Sequence, residues 1–318
     1  MSKKSNTQPR VVDYNVQQAE EVYSHFWDDR NYDQRAETLL LKKYFKKYFP
    51  KFDKSKCLVD IGGNFGRFLP LYATTFGEVA ILDYADNGFH LAKQSAKKEN
   101  IKLHLIAADA YNLPFINNSQ TSLISIRLIH HLEDPSQFFK ETFRVLKPNS
   151  LFIFQASNKN HLGLFLKSLL TFNFKVWRKD WLDLKLGLEK KDDNFTLIRN
   201  YKANYLERLI IEHKFRIIHK RSASWLRSFK LARRFHKISY PFEYALQILS
   251  AVLPLSSSNW YVLQKSAGDL DTLITKEESA NFLNTLCSPK NHKLIPAEDL
   301  VKFKRKNSDK VIYFDFRN

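Results

Sequence analysis

The chain is poor in cysteine and in acidic residues, and each shortage excludes a class of protein. Two cysteines in 318 residues, Cys57 and Cys287, are too few for the disulfide framework of a small secreted domain. The polar start of the sequence is not a secretory signal, so we expect a reducing, cytoplasmic setting. Only 33 Asp and Glu stand against 51 Lys and Arg, which gives a formal net charge of +18. The partners we expect are therefore anionic.

The excess of positive charge is concentrated in the second half. Residues 1–150 contain 21 Lys and Arg against 17 acids, and residues 151–318 contain 30 against 16. The densest stretch, residues 213–242, has nine cations and no acid. Such a segment attracts lipid headgroups, nucleic acid phosphates or acidic metabolites, and the sequence leaves these alternatives open.

Glycine is also scarce, and its placement is informative. Three of the eight glycines, Gly62, Gly63 and Gly66, fall within five residues, directly after an apolar run that ends in Asp60. A turn between a strand and a helix needs positive backbone dihedrals, and a bound ligand must approach its main chain closely. The pattern predicts a strand that leads into a ligand-binding turn.

Further apolar runs follow at helix-length spacing: 79–82, 103–107, 123–129 and 151–154, with 215–219 and 260–264 later in the chain. The first five runs predict parallel strands linked by crossover helices, and with the last two they predict an α/β fold with a doubly wound sheet of seven strands. Ligands of such sheets bind beyond the carboxyl ends of the strands. Polar residues stand at those ends, namely Asp83, Asp109, His130 and His131.

Five phrases in this order resemble the class I S-adenosylmethionine-dependent methyltransferases, in particular the branch with the quinone-biosynthesis enzymes. They are Val59-Asp-Ile-Gly-Gly-Asn-Phe-Gly66, Ile81-Leu-Asp-Tyr-Ala85, Ala108-Asp-Ala-Tyr-Asn-Leu-Pro-Phe115, Leu128-Ile-His-His-Leu-Glu-Asp-Pro135 and Arg144-Val-Leu-Lys-Pro148. The resemblance is strong over residues 55–160 and looser up to 265. It implies the Rossmann-like methyltransferase fold and S-adenosylmethionine as the cofactor.

The resemblance also implies roles for individual residues. One group would bind the cofactor: Tyr23, Asp60, Gly62, Gly63, Asn64, Gly66, Asp83, Tyr84, Asp109, Ala110 and Arg127. Within it, Asp83 would accept both ribose hydroxyls, Asp109 and Ala110 would flank the adenine, and Tyr23 would close over the site. Asn64 stands where the family usually has a third glycine. Because asparagine tolerates left-handed dihedrals, we expect the turn to survive.

Other nucleotide-binding turns do not fit the sequence. A dinucleotide fold shows G-x-G-x-x-G and a P-loop shows Gly-Lys-Ser or Gly-Lys-Thr, and neither pattern follows the first strand. A catalytically silent protein that keeps the fold as a scaffold stays open, since a fold alone does not establish a function.

Three residues at the end of the fourth strand are candidates for catalysis. His130 and His131, with Arg127 just before them, stand where similar enzymes place the acceptor. A histidine near its ordinary pKa can take a proton from a phenol or hydroxyl at neutral pH. The alternative is that one of the pair caps a helix or packs on the sheet, because neighbouring residues of a strand face opposite sides.

The chemistry that we expect is O- or C-methylation of a small or lipid-linked acceptor. No Asn-Pro-Pro-Tyr or Asp-Pro-Pro-Tyr motif follows the fourth strand, and neither cysteine lies where attack on a pyrimidine would need it. An RNA methyltransferase that uses the basic second half is the less favoured alternative. No metal site is predicted.

The predicted organisation begins with a disordered basic segment at 1–12 and a helical cap at 13–50. The methyltransferase domain follows at 51–265, with insertions at 160–200 and 222–258. The second insertion combines a basic amphipathic part with an apolar part too short to span a bilayer, so it either contacts an anionic membrane peripherally or packs on the core.

The tail, residues 270–318, resembles a small zinc ribbon whose cysteines have been lost. Cys287 and His292 alone cannot complete a four-ligand zinc site. We expect a β-rich element that packs on the domain or binds a partner.

Overall fold

The structure is a computed structural model that describes residues 31–51, 53–186, 196–227, 234–250, 255–267, 282–295, 299, 304–308 and 311–317. The predicted segment 1–12, the first part of the helical cap and Tyr23 lie outside the described residues. So does the part of the basic stretch that contains Arg233.

Nine strands form the central sheet: β1 (Asp53–Ile61), β2 (Phe76–Asp83), β3 (Lys102–Ala107), β4 (Gln120–Ser125), β5 (Leu146–Ser157), β8 (Phe215–Ala223), β9 (Ser258–Lys265), β10 (Lys304–Ser308) and β11 (Val311–Asp315). Their order across the sheet is β10-β11-β3-β2-β1-β4-β5-β9-β8. Neighbours from β11 to β5 run parallel, and β9 is antiparallel to both of its neighbours. The predicted doubly wound sheet is confirmed, and the tail extends it by two strands.

Seven described α-helices accompany the sheet: α1 (Asn31–Tyr48), α2 (Leu69–Tyr72), α3 (Phe89–Glu99), α4 (Pro135–Val145), α5 (Leu162–Leu170), α6 (Ala203–Glu212) and α7 (His236–Leu249). Short 3-10 turns cover Ile129–His131, Lys175–Trp177 and Phe282–Thr285. The first insertion contains an antiparallel pair of strands, β6 (Trp181–Leu186) and β7 (Thr196–Tyr201).

The core lies on both faces of the sheet, as β2 illustrates. Val79 and Ile81 pack on the same side as the apolar face of α1, whereas Ala80 and Leu82 pack on the opposite side. All four side chains are buried. This alternation follows from the two-residue period of a strand, and burial of each larger aliphatic side chain contributes about 1.5–3 kcal/mol. The carboxyl end of β2 is thereby fixed in position.

The tail packs on the domain at two places. Strand β11 pairs in parallel with β3, from Val311 opposite Leu103 to Asp315 opposite Ala107. Residues 282–295 contact the segment before β4, where Ile116 N donates to Thr285 O (2.9 Å). Cys287 is buried, and the described residues contain no cluster of three or more potential metal ligands.

Helix α7 of the second insertion has a buried side and an exposed side. On the buried side, the Tyr32 hydroxyl donates to Glu243, and Gln247 donates to the Ala36 carbonyl of α1 (3.0 Å). Phe242 and Ile248 are exposed on the other side. The described part of the insertion therefore packs on the core through one face and leaves an apolar face outside. None of the helices within the described ranges is long and apolar enough to cross a membrane.

Candidate active site

The turn after β1 depends on glycine at two positions. Gly62 has φ +81°, and its N–H donates to the Leu82 carbonyl of the next strand (2.7 Å). A Cβ at Gly62 would lie 2.8 Å from Leu128 Cβ, so the turn has no room for a side chain there. Gly66 has φ +72° and lies against Ile81. The predicted glycine turn forms at the carboxyl end of β1.

Asn64 continues the turn in a left-handed conformation, as expected. Its φ is +37°, and its backbone N–H donates to Asp83 Oδ2 (3.0 Å). The side-chain amide donates to Ala85 O (3.4 Å) and Asn87 Oδ1 (3.3 Å). A Cβ on Gly88 would lie 1.8 Å from Asn64 Oδ1. The bare backbone of Gly88 therefore makes room for the Asn64 side chain.

Asp83 ends β2 beside this turn. Its Oδ1 accepts the Ala85 N–H (3.1 Å), while Oδ2 accepts the Asn64 N–H. The next carbonyl, Tyr84 O, accepts a hydrogen bond from Arg317 Nη1 of the tail (3.0 Å).

Asp60 lies beneath the turn. Its side chain is buried, accepts a hydrogen bond from the Tyr72 hydroxyl (3.0 Å), and would lie 2.8 Å from a Cβ on Gly63. Burial raises the pKa of Asp60 to about 7, although the Tyr72 hydrogen bond and the charge of Arg67 act in the opposite direction. Asp60 thus supports the turn from below.

Asp109 and Ala110 follow β3, the strand next to β2. The Asp109 carboxylate accepts the Tyr111 N–H (2.9 Å) and closes a local turn. Ala110 is buried, and Ala108 N donates to Asp83 O (3.0 Å). Both predicted adenine neighbours therefore stand beside the loop after Asp83.

A buried ion cluster joins α1 to the site. Glu37 is fully buried and accepts hydrogen bonds from Arg127 Nη2 (2.5 Å) and Arg67 Nη2 (2.6 Å). Burial alone would raise the pKa of Glu37, but the two guanidinium groups outweigh it and lower the pKa to about 2. Sequence reasoning missed Glu37 and Arg67. The only signal was an acid within the apolar stripe of a helix.

The chain bends sharply after β4. Arg127 has φ +61°, and its N–H donates to Gln155 Oε1 of β5 (2.8 Å). The strand therefore ends at Ser125, and the prediction that it runs to Ile129 is wrong. His130 and His131 lie in the 3-10 turn that follows, with ring centroids 4.0 Å apart. They do not alternate across a strand.

Burial lowers the pKa of both histidines. Burial lowers the pKa of His131 to about 3. Burial also lowers the pKa of His130 well below its ordinary value, and the charges of Arg127 and Arg227 add to this effect. A base with so low a pKa takes up a proton from a hydroxyl poorly at pH 7.

Buried polar atoms collect at the same edge of the sheet, beyond β4, β5 and β8. Five of them have no hydrogen-bond partner among the described residues: His130 Nδ1, Gln155 Nε2, Asn160 Oδ1, Ser224 Oγ and Trp225 Nε1. An unpaired buried polar group costs about 1–3 kcal/mol, so such groups normally have a partner. Their placement fits a polar acceptor group bound at this edge.

Comparison with known proteins agrees with this geometry. The family model described as a methyltransferase domain matches residues 59–154. The matched residues extend from β1, which contains Asp60, into β5. Residues 59–154 are a methyltransferase domain. The match and the sheet order agree with the resemblance of residues 55–160 to the class I S-adenosylmethionine-dependent methyltransferases. The zinc-ribbon resemblance of residues 270–318 lies outside the match and stays a prediction.

Two curated relatives are demethylmenaquinone methyltransferases. The protein of Staphylococcus haemolyticus is 31% identical over 99 residues, which are 31% of this chain and 41% of the relative. One from Staphylococcus epidermidis is 34% identical over 100 residues, or 31% and 40% of the two chains. The chain thus spans about two fifths of the length of these relatives.

Solved structures share the fold of the methyltransferase domain. A protein from Pyrococcus horikoshii has a TM-score of 0.53 at 18% identity and covers 79% of this chain and 100% of its own. An S-adenosylmethionine-dependent methyltransferase, described as putative, from Listeria monocytogenes has a TM-score of 0.50 at 12% identity, with coverage of 71% and 97%.

The residues present fit S-adenosylmethionine. Asp83 offers a carboxylate for a pair of hydroxyls, and the glycine turn brings main chain rather than side chains to the carboxyl ends of β1 and β2. Arg67 and Arg127 lie near the turn, and both pair with the carboxylate of Glu37.

Proposed function

We propose that this protein is a working methyltransferase that transfers a methyl group to an oxygen-bearing acceptor, small or lipid-linked, by O- or C-methylation. The observation that carries the proposal is the set of buried polar atoms beyond β4, β5 and β8, His130 Nδ1 among them, at the same edge of the sheet as the glycine turn after β1. The names of the demethylmenaquinone methyltransferase relatives support an acceptor of the quinol type.

This edge is buried and has cations nearby. Burial contributes most to the lowered pKa of His130, and the charges of His131, Arg127 and Arg227 add to it, while Arg127 pairs with Glu37 and Arg227 with Asp33. S-adenosylmethionine, when bound, supplies an electrophilic methyl group. The task of the chain's own residues is then to orient the acceptor and to exclude water.

His130 is the residue that we expect to contact the acceptor. Its buried Nδ1 can form a hydrogen bond to an acceptor hydroxyl or enol, and Gln155 Nε2 can donate to an acceptor oxygen. Arg127 and Tyr23 keep the roles predicted from the sequence as proposals, with Arg127 bound to Glu37 and Gln155. For His131 we propose contact with the acceptor rather than the role of a base.

Transfer of a labelled methyl group tests the function directly. The protein is incubated with methyl-tritiated S-adenosylmethionine and either a total lipid extract or total RNA, and each fraction is counted. We expect label in the lipid fraction, its loss in His130→Ala, and no change in Glu99→Ala, a partly exposed acid of α3. Label in RNA alone would instead support the RNA methyltransferase, and cofactor binding without transfer would favour a silent scaffold.

A further inference from the structure

We propose that α5 and the turn after it, residues 162–179, form a docking surface for an anionic lipid membrane. This segment is called the α5 surface below. The inference deepens the proposed function, on which it rests, because it concerns how a lipid-linked acceptor reaches the site.

The α5 surface exposes an unusual amount of apolar area. Leu170 is 81% exposed and Phe172 is 82% exposed. Four more large apolar side chains are exposed around them: Phe165, Leu166, Leu169 and Phe174. Helix α5 has nine residues, so it cannot span a bilayer but is long enough to lie in the interface. Contiguous exposed apolar residues of this kind mark a contact surface.

Charge identifies the partner. Residues 158–179 contain five Lys and Arg and no acid. Four of these cations, Lys167, Lys175, Arg178 and Lys179, are exposed among the apolar side chains. Cations beside exposed leucine and phenylalanine complement anionic headgroups above acyl chains. The cations could also bind RNA phosphates, but the exposed aliphatic side chains would have no apolar partner on RNA. We therefore assign the surface to lipid.

The backbone holds this surface in place. Phe172 has φ +51°, a left-handed conformation that costs a bulky residue about 1–2 kcal/mol, yet its ring points into water. Buried Lys159 donates from Nζ to the carbonyls of Val176 and Lys179, both at 2.5 Å. Phe165 also contacts Trp177 edge to face. The segment is thus built to present its apolar side chains outward.

The α5 surface begins beside the proposed acceptor position. Helix α5 follows β5 directly, and its first turn is capped by His161, whose Nδ1 accepts the Leu164 N–H (3.3 Å). Asn160, one of the residues with an unpaired buried atom, directly precedes this cap. Arg227 also contributes, after burial, to the lowered pKa of both His161 and His130. A lipid-linked acceptor in a docked membrane would therefore meet the proposed acceptor edge at the start of α5.

Flotation with vesicles tests the surface. The full-length chain is mixed with phosphatidylcholine vesicles that contain about one third phosphatidylglycerol, or with phosphatidylcholine alone. We expect flotation with the anionic vesicles and a loss of at least about tenfold in the double variant Leu170→Ser/Phe172→Ser. The matched control is Ile211→Ser, which replaces an apolar side chain on α6 that is 64% exposed. This control should not change binding to the anionic vesicles.

A second pair of variants tests the charges. Lys175→Gln/Lys179→Gln should lower partition into anionic vesicles about fivefold per cation, and Lys97→Gln/Lys98→Gln on α3 should not. Two outcomes of the flotation experiment would overturn the proposal: no flotation at all, or an equal loss in either control. A third would be a dimer in solution that Leu170→Ser/Phe172→Ser dissociates, with no binding to vesicles. Flotation needs no cofactor, so a chain that floats but does not bind S-adenosylmethionine would refute only the proposed function.

Discussion

At the scale of single residues, Asn64 and Gly88 depend on each other. Asn64 occupies a position where methyltransferases of this class usually have glycine, and its side chain fills the space that a Cβ on Gly88 would need. The amide in turn holds the loop after Asp83 through Ala85 and Asn87. The Asn64 side chain therefore connects, through hydrogen bonds, the two loops beside the proposed cofactor site, which a glycine at this position could not do.

A double-mutant cycle measures this dependence. Gly88→Ala alone should destabilise the fold, because the new Cβ would overlap Asn64 Oδ1. Backbone strain would not contribute, since Gly88 has φ −81°, which alanine adopts freely. In the Asn64→Gly background the same change should cost less, with a coupling of about 1–3 kcal/mol from urea unfolding. Additive costs, within about 0.5 kcal/mol, would show that the two residues act independently.

Asp60 predicts a dependence of stability on pH. Its pKa is about 7 in the folded protein and about 3.8 when unfolded, so the folded state binds more protons between these values. Stability should therefore fall as pH rises from about 4 to 7, by up to about 1.4 kcal/mol per pH unit from this group. Asp60→Asn keeps an acceptor for Tyr72 but cannot titrate, and its unfolding free energy should fall less steeply between pH 5 and 7. Parallel profiles would contradict the raised pKa.

The glycine turn and Asp83 were predictable because their chemistry is local: positive dihedrals and a strand end are visible in the sequence. Glu37 and Arg67 were not, since their pairing joins a helix to a turn 30 positions away in the chain. The bend at Arg127 was missed for a similar reason. The apolar pattern continues to Ile129, while the strand is ended by a hydrogen bond to Gln155 on another strand.

At the scale of secondary structure elements, strand β11 connects the tail to the proposed cofactor site. Its pairing with β3 places Arg317 against the loop after Asp83, where Nη1 donates to Tyr84 O (3.0 Å) and Nη2 pairs with Asp86 (3.0 Å). The Tyr313 hydroxyl donates to the same Asp86 (2.6 Å). The sequence predicted a β-rich packing element here, but not which edge of the sheet it would join. That choice depends on the outer edge of β3, which among the described strands only β11 pairs with.

Removal of the Arg317 contacts should weaken cofactor binding without unfolding the protein. Partly exposed ion pairs contribute little to stability, so the expected effect of Arg317→Ala is a loss of about threefold to tenfold in affinity for S-adenosylmethionine, measured by calorimetry. Arg317→Lys should not restore it, since an ammonium group cannot bind a carboxylate and a carbonyl together in the same geometry. Unchanged affinity in Arg317→Ala, with Arg208→Ala as the control, would limit the tail to a packing role.

At the scale of the whole molecule, charge and chemistry divide along the chain. Residues 1–150, which carry the proposed cofactor turn, are close to neutral, and the excess of cations follows in residues 151–318. The proposed acceptor edge draws on both halves, with His130 from the first and Gln155, Asn160, Ser224 and Trp225 from the second. This distribution suits an enzyme that binds its cofactor in the sheet and its anionic acceptor through later segments.

The central claim is that the turn at Gly62–Gly66 and Asp83 form a working cofactor site. Isothermal titration calorimetry with S-adenosylmethionine and with its demethylated product tests it in the wild-type chain, in Asp83→Ala and in the control Glu99→Ala. We predict micromolar binding in the wild type and in the control, and at least about tenfold weaker binding in Asp83→Ala, because a charged hydrogen bond contributes about 1.5–3 kcal/mol. No binding in the wild type, or equal affinity in Asp83→Ala, would contradict the account.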